Sequence, residues 1–210
     1  MLATVGSATL LGVRGHPVRV EVHTSDGLPG YTVVGLPDTS CRESRDRVRS
    51  ALLSSGFHWP DRRTTVNLAP SGVRKVGAGL DLAIAVALVA AQGDLPLDAL
   101  AGLSFLGELG LDGSLRPLVG MVPLAAACGG IPVVPAPVVA EARLCRPDAL
   151  PGRSLRDVVE VLRGESGWPS GDTPELRVAP RSAADLQEVR GQGVARMALE
   201  VAAAGAITPS

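Results

Sequence analysis

Few residues in this chain could do chemistry. Lys75 is the only lysine among 210 residues, and Val76 follows it. A phosphate-cradling loop of the form Gly-x4-Gly-Lys-Ser/Thr is therefore excluded. Gly77-Ala78-Gly79, ahead of a helix opening at Asp81, could aim backbone N–H groups at an anion. Asp81 would repel phosphate at that point, so close strand-to-helix packing is the better account of the two glycines. Ser71 and Lys75 share one loop and read as ordinary polar loop residues. His16, His23 and His58 are scattered, and the one close pair with a carboxylate, Glu21 and His23, has no third ligand nearby, so no metal site is expected. Cys41, Cys128 and Cys145 lie far apart with no Cys-x-x-Cys pair, as expected of reduced, structural thiols.

The strongest remaining signal is charge asymmetry. Twenty basic residues balance 21 acidic ones overall, which argues against a wholly basic nucleic-acid coat. From Asp38 to Lys75, however, eight basic residues face four acids, and from Asp94 to Leu115 there are four acids and no base. Arg42, Arg45 and Arg49 recur at three- and four-residue steps, so they should project from one helix face, with Arg62 and Arg63 extending the same surface from the next strand. Such a patch contacts phosphates without reading sequence. The same helix also carries acids at salt-bridge spacing, Glu43 with Arg47 and Asp46 with Arg42 or Arg49, as any solvated helix would.

The elements that must position these residues are legible in the pattern. With 46% hydrophobic and only 2% aromatic residues, the chain is globular, with a core of Val, Leu, Ile and Ala. Alternation predicts strands over Leu2 to Leu11, Val18 to His23 and Tyr31 to Val34. Ser40 and Glu43 form a capping box for a helix that ends at Gly56. A strand over Thr64 to Leu68 leads to a helix capped by Asp81, apolar on every side from Leu82 to Ala91 and hence buried. A strand over Ser104 to Leu106 precedes a hairpin from Leu109 to Arg116. Short alternating elements follow: a helix over Met121 to Cys128, a strand over Ile131 to Val134, and helices over Val138 to Ala142 and Leu155 to Leu162. This predicts an α+β, α/β-like domain over residues 1–163. Periodicity is lost over 164–182, a linker rich in Gly and Pro, and a last helix is predicted from about Ala183 to Ala204. No apolar run reaches the ~18 residues that a membrane helix needs, so a soluble, cytoplasmic protein with no membrane partner is expected.

Five runs in order, EVHTSDGLPGYTVVGLPDTSCRESRDRVRSALLSSGF, RRTTVNLAP, GAGLDLAIA, FLGELGLDGSLRPL and DLQEVRGQGVARMALEVAAAG, resemble the amino-terminal part of the ComM/YifB family of magnesium-chelatase-like AAA+ ATPases. The resemblance implies a ribosomal S5 domain 2-like fold, shared with the Lon protease domain. It also implies a role in DNA recombination and competence, in a hexameric helicase or branch-migration factor that uses ATP and magnesium. The family continues into a Walker A loop, whereas this sequence ends Ala206-Ile207-Thr208-Pro209-Ser210. Residues 183–210 are therefore expected to be the first helix of a truncated ATPase domain, and no cofactor or activity is expected of this chain alone. Placed on the Lon pattern, Gly79 falls where the nucleophilic serine would be and Val122 where the lysine base would be, and neither can do that work. The alternative is a structural, oligomerising domain with no DNA contact, whose arginines meet the acidic Asp94 to Asp112 edge of a neighbouring subunit.

Overall fold

The structure, a computed structural model, describes residues 1–170 and 185–205. The chain divides into two units, Met1–Pro174 and Glu175–Ser210.

The first unit is built on an antiparallel pair, β1 (Leu2–Leu11) and β2 (Arg14–Ser25), in which Ala3, Val5, Val18, Val20 and Val22 turn to one face. β3 (Gly30–Val34) is followed by α1 (Thr39–Arg42), α2 (Ser44–Ser54) and β4 (Arg63–Ala69). β4 runs antiparallel to β2 and parallel to β3. Next come α3 (Asp81–Ala91), β5 (Leu103–Phe105), the small hairpin β6 (Glu108–Leu109) and β7 (Leu115–Arg116), and α4 (Met121–Ala127). The unit closes with β8 (Ile131–Pro135), α5 (Val139–Arg143), β9 (Leu150–Gly152) and α6 (Leu155–Leu162). Seven strands form one mixed sheet in the order β3-β4-β2-β1-β5-β8-β9, with β3 at one edge. The α+β expectation holds.

Two cores sit on opposite faces of this sheet. Every residue of α3 is buried, and α3 packs with α2, α6 and the inward residues of β1, β2 and β4. α4 and α5 form the second core with Ala8, Leu106 and Val134. Adjacent residues of one strand serve different cores, Val133 the first and Val134 the second, as a period of two requires. Over β3, β4 and β2 the second face is largely uncovered: Thr32, Val34, Arg63, Arg19 and His23 are exposed there.

Several local expectations change. The capping box at Ser40 and Glu43 does not form, because Asp38 caps α1 by accepting from the Cys41 N–H at 2.7 Å. The predicted single helix is interrupted at Glu43. Asp81 is the first residue of α3 rather than its cap, its side chain being drawn elsewhere. β9 has only three residues, too few for a periodic signal. In the second unit a 3₁₀ turn over Leu186–Glu188 precedes α7 (Gly193–Ala204). The helix predicted from Ala183 is broken ahead of Gly193, where Gly191 and Gln192 take positive φ. Residues 183 and 184, and the linker from 171 onward, lie outside the described residues. Among the described residues no helix is long and apolar enough to cross a membrane.

The β6–β7 hairpin is tight: Gly110 N–H donates to Ser114 O and Gly113 N–H to Gly110 O, both at 2.9 Å. Gly113 has φ +84°, and a Cβ there would stand 2.3 Å from Ser55 Oγ. Gly113→Val combines backbone strain with that collision and should lower stability by more than about 1 kcal/mol in urea unfolding. An unchanged midpoint would show that the turn does not constrain the α2 terminus.

Candidate functional site

The charged residues form a buried centre and an exposed set, and the two behave differently. Asp81 is 1% exposed at the start of α3, where an uncompensated carboxylate would be very unfavourable. Arg47 supplies the counter-charge: its Nε donates to Asp81 Oδ2 at 2.7 Å and its Nη2 to Asp81 Oδ1 at 3.1 Å, while Nη2 also reaches Ser40 O. Burial pushes the Asp81 carboxyl up to about 6 even though Arg47 opposes the shift. Arg47 is thus withdrawn from the basic patch counted in the sequence, and Glu43 stands 4.0 Å from it.

Lys75 is fully buried, which the count of charges did not anticipate. Its ammonium donates to the Pro70 carbonyl, and burial pushes its pKa down. Its backbone joins the chain ahead of α1: Lys75 N–H donates to Leu36 O at 3.1 Å, and Asp38 N–H donates to Lys75 O at 3.0 Å. Asp38 Oδ2 accepts from Gly77 N–H, and Thr9 Oγ1 accepts from Val76 N–H. Ser71 is exposed and is not brought to the Lys75 amine. The signal that could have revealed the burial is the apolar, Gly-rich surroundings of a solitary lysine.

Gly77, Ala78 and Gly79 line a groove of about 210 Å³ with Thr9, Leu118 and Val119. A Cβ on Gly79 would meet Leu118 at 3.1 Å, so even a serine there would crowd the groove. Val122 is half-buried in α4, and its carbonyl accepts from the Cys145 thiol. A larger groove, about 630 Å³, lies between β1, β2 and the Leu97 to Ser104 segment. Its serines are engaged, Ser7 donating to Phe105 O and Ser104 accepting from Gly130 N–H, and it contains none of the predicted arginines of the basic patch. Burial pushes the Cys41 thiol up to about 12 and Cys128 up to about 11, so both stay protonated. Glu21 and His23 share a strand face, but Glu21 is held by Arg19 at 3.0 Å and Asn67 at 2.8 Å. Among the described residues no cluster of three potential ligands is placed to hold a metal.

The predicted arginines fall into two groups. Arg42, Arg45 and Arg49 are exposed along α1 and α2, with no ion-pair partner among the described residues. Arg62 lies 3.4 Å from Asp26 at the β2–β3 turn. Arg63 alternates with the inward Thr64, Val66 and Leu68, so it stands on the sheet face opposite α2 and does not extend the α2 surface. The acidic residues also fail to form one edge. Glu108 precedes Leu109, whose N–H donates to Asp81 at the start of α3, whereas Asp94 follows the far end of that helix, about 16 Å along.

Residues 20–133, more than half the chain, match the family described as subunit ChlI of Mg-chelatase. An uncharacterised protein of Mycobacterium tuberculosis is 43% identical over 95% of the chain. YifB of Escherichia coli and competence protein ComM of Haemophilus influenzae are each 38% identical over 97% of it. The chain belongs to this ChlI-type family, in its ComM/YifB branch. It spans 41–42% of the length of these relatives.

The Arg47–Asp81 pair sets a pH test. Asp81 carries a folded-state pKa of about 6 against an ordinary 3.8, so between those values the folded chain keeps a proton that the unfolded chain has lost. Its contribution to stability is therefore present below that window and declines as pH rises through it. Asp81→Asn should flatten this part of the stability profile. Arg47→Ala leaves a buried carboxylate without its cation and should lower stability by about 3 kcal/mol at pH 7, and by less at pH 5 where Asp81 is protonated. Equal losses at both pH values would show that the carboxylate's charge is not what Arg47 serves.

Proposed function

We propose that this chain is the amino-terminal, DNA-facing domain of a ComM/YifB-type AAA+ machine that works as a hexameric helicase or branch-migration factor on recombination intermediates during natural transformation. It acts in the cytoplasm, with ATP and magnesium handled by the motor portion of such proteins. The observation that carries this reading is the set of exposed guanidinium groups on α1 and α2 with no ion-pair partner among the described residues: Arg42, Arg45 and Arg49. Unpaired arginines bind phosphate oxygens in a charge-assisted, often bidentate manner. The name of the Haemophilus relative, a competence protein, agrees with DNA as the partner. Residues 1–163 form the binding domain, 164–182 a linker, and 183–210 the first part of the domain that follows.

A second reading, a domain that only assembles subunits, draws on α7. None of its residues is buried, and Val194, Met197 and Val201 leave one apolar stripe exposed. Such a stripe suits packing against a following domain or another subunit.

Anisotropy with labelled single-stranded and branched DNA, measured against salt, separates the readings. The wild-type chain should bind at about 10⁻⁴ to 10⁻⁶ M, and the Arg42→Ala, Arg45→Ala, Arg49→Ala triple variant should lose roughly 2 to 3 from the slope of log affinity against log salt. An unchanged slope in a folded triple variant, with self-association by sedimentation, would favour assembly.

A further inference from the structure

On the DNA-facing reading, on which this inference rests, the helix arginines are joined by a residue that lies distant in the chain. Lys75 pairs with Pro37 in a parallel bridge, locked by its hydrogen bonds to Leu36 O and from Asp38 N–H. Because the Lys75 side chain is turned fully inward, its neighbours on this extended segment turn outward, and Arg74 is exposed. Arg74 therefore stands at the surface beside the entry to α1. Arg74 makes no ion pair among the described residues, and the nearby Asp38 carboxylate, which accepts from the Cys41 and Gly77 N–H groups, subtracts one charge from this surface.

The orientation of α2 extends this row. Arg47 reaches toward α3, and residues two apart on a helix point about 200° from each other, so Arg45 faces the other way, toward β3. Burial pushes the Tyr31 hydroxyl on β3 up, and Arg45 is among the charges that oppose it, which agrees with that direction. Arg49 follows Arg45 one turn later, about 6 Å along the axis. Within the first unit, β3 is one of the two edge strands of the sheet, with β9 at the other side. Asp46 shares the solvent face of α2 and subtracts one charge from it.

We infer that Arg74 joins Arg42, Arg45 and Arg49 in a single phosphate-binding ledge beside the β3 edge, and that Arg62 and Arg63 are not part of it. The ledge takes the sugar–phosphate backbone of DNA without regard to base sequence. Arg62 and Arg63 lie at the start of β4, opposite Gly30 at the beginning of β3, whereas Arg74 lies beyond its end near Leu36.

The test uses the whole chain with labelled oligo-dT and a labelled four-way junction, at roughly 50 to 200 mM salt. Arg74→Ala should lower the slope of log affinity against log salt by about 0.7 to 0.9, one phosphate contact. Arg74→Lys keeps the charge and should keep the slope, and an Arg62→Ala, Arg63→Ala double variant should match the wild type. An Arg74→Ala variant that melts like the wild type and keeps the wild-type slope overturns the ledge while leaving DNA binding intact. A loss of slope in the Arg62, Arg63 double variant does the same. A wild-type chain that binds neither DNA at the lowest salt removes the DNA reading itself, and the ledge with it.

Discussion

The fold turns on one buried charge. α3 is apolar on all sides and stands at the centre of the larger core, yet its first residue is Asp81, 1% exposed. A carboxylate in that position needs a cation and donors, and it receives Arg47 from α2 and the Leu109 N–H from the β6–β7 hairpin. Three elements far apart in sequence are thereby fixed at one point. The pair also decides what the surface looks like: with Arg47 committed inward, the helical period of α2 sends Arg45 and Arg49 outward.

A second polar commitment shapes the loop ahead of α3. Lys75, the only amine side chain, is enclosed and satisfied by the Pro70 carbonyl, while its backbone adds a short rung between the Leu36 to Asp38 segment and the Val76 to Gly79 turn. This clasp holds the Gly77-Ala78-Gly79 turn against Thr9 and Leu118, with Asp38 bridging the two segments. Gly77 takes a φ of +80° with open space around it, and a Cβ on Gly79 would press on the Leu118 side chain at 3.1 Å.

The strands β1, β2 and β4, the wholly buried α3 and the β6–β7 hairpin were legible because each repeats a period or carries a turn residue over enough positions to register. β9 is too short to carry any period, and the break at Glu43 was hidden because Asp38 caps a first short helix at the Cys41 N–H, ahead of the start that the Ser40 and Glu43 spacing suggests. The site was less legible than the fold. Counting charge between Asp38 and Lys75 treated all eight basic residues alike, whereas the fold buries Lys75, draws Arg47 inward and sends Arg63 to the other sheet face. Arg63 follows the strand alternation of β4 and Lys75 meets a carbonyl close by in the chain, whereas the inward turn of Arg47 depends on Asp81, 34 residues away.

Those three commitments bear on what the domain can do. The positions that resemble a peptidase's nucleophile and base are a crowded glycine and a half-buried valine, and the one lysine is locked elsewhere. Arg42, Arg45 and Arg49, by contrast, hold their guanidinium groups at the surface with no ion-pair partner among the described residues. A guanidinium in water has little to gain from a single surface carboxylate, because exposed pairs contribute only about 0 to 1 kcal/mol. A polyanion that engages several at once gains from each contact and from the counterions it releases. As proposed, arginines with no ion-pair partner among the described residues bind isolated acids weakly and a continuous phosphate backbone effectively, a difference in valency that supports DNA over an acidic protein edge whose carboxylates Glu108 and Asp94 stand at separate ends of α3.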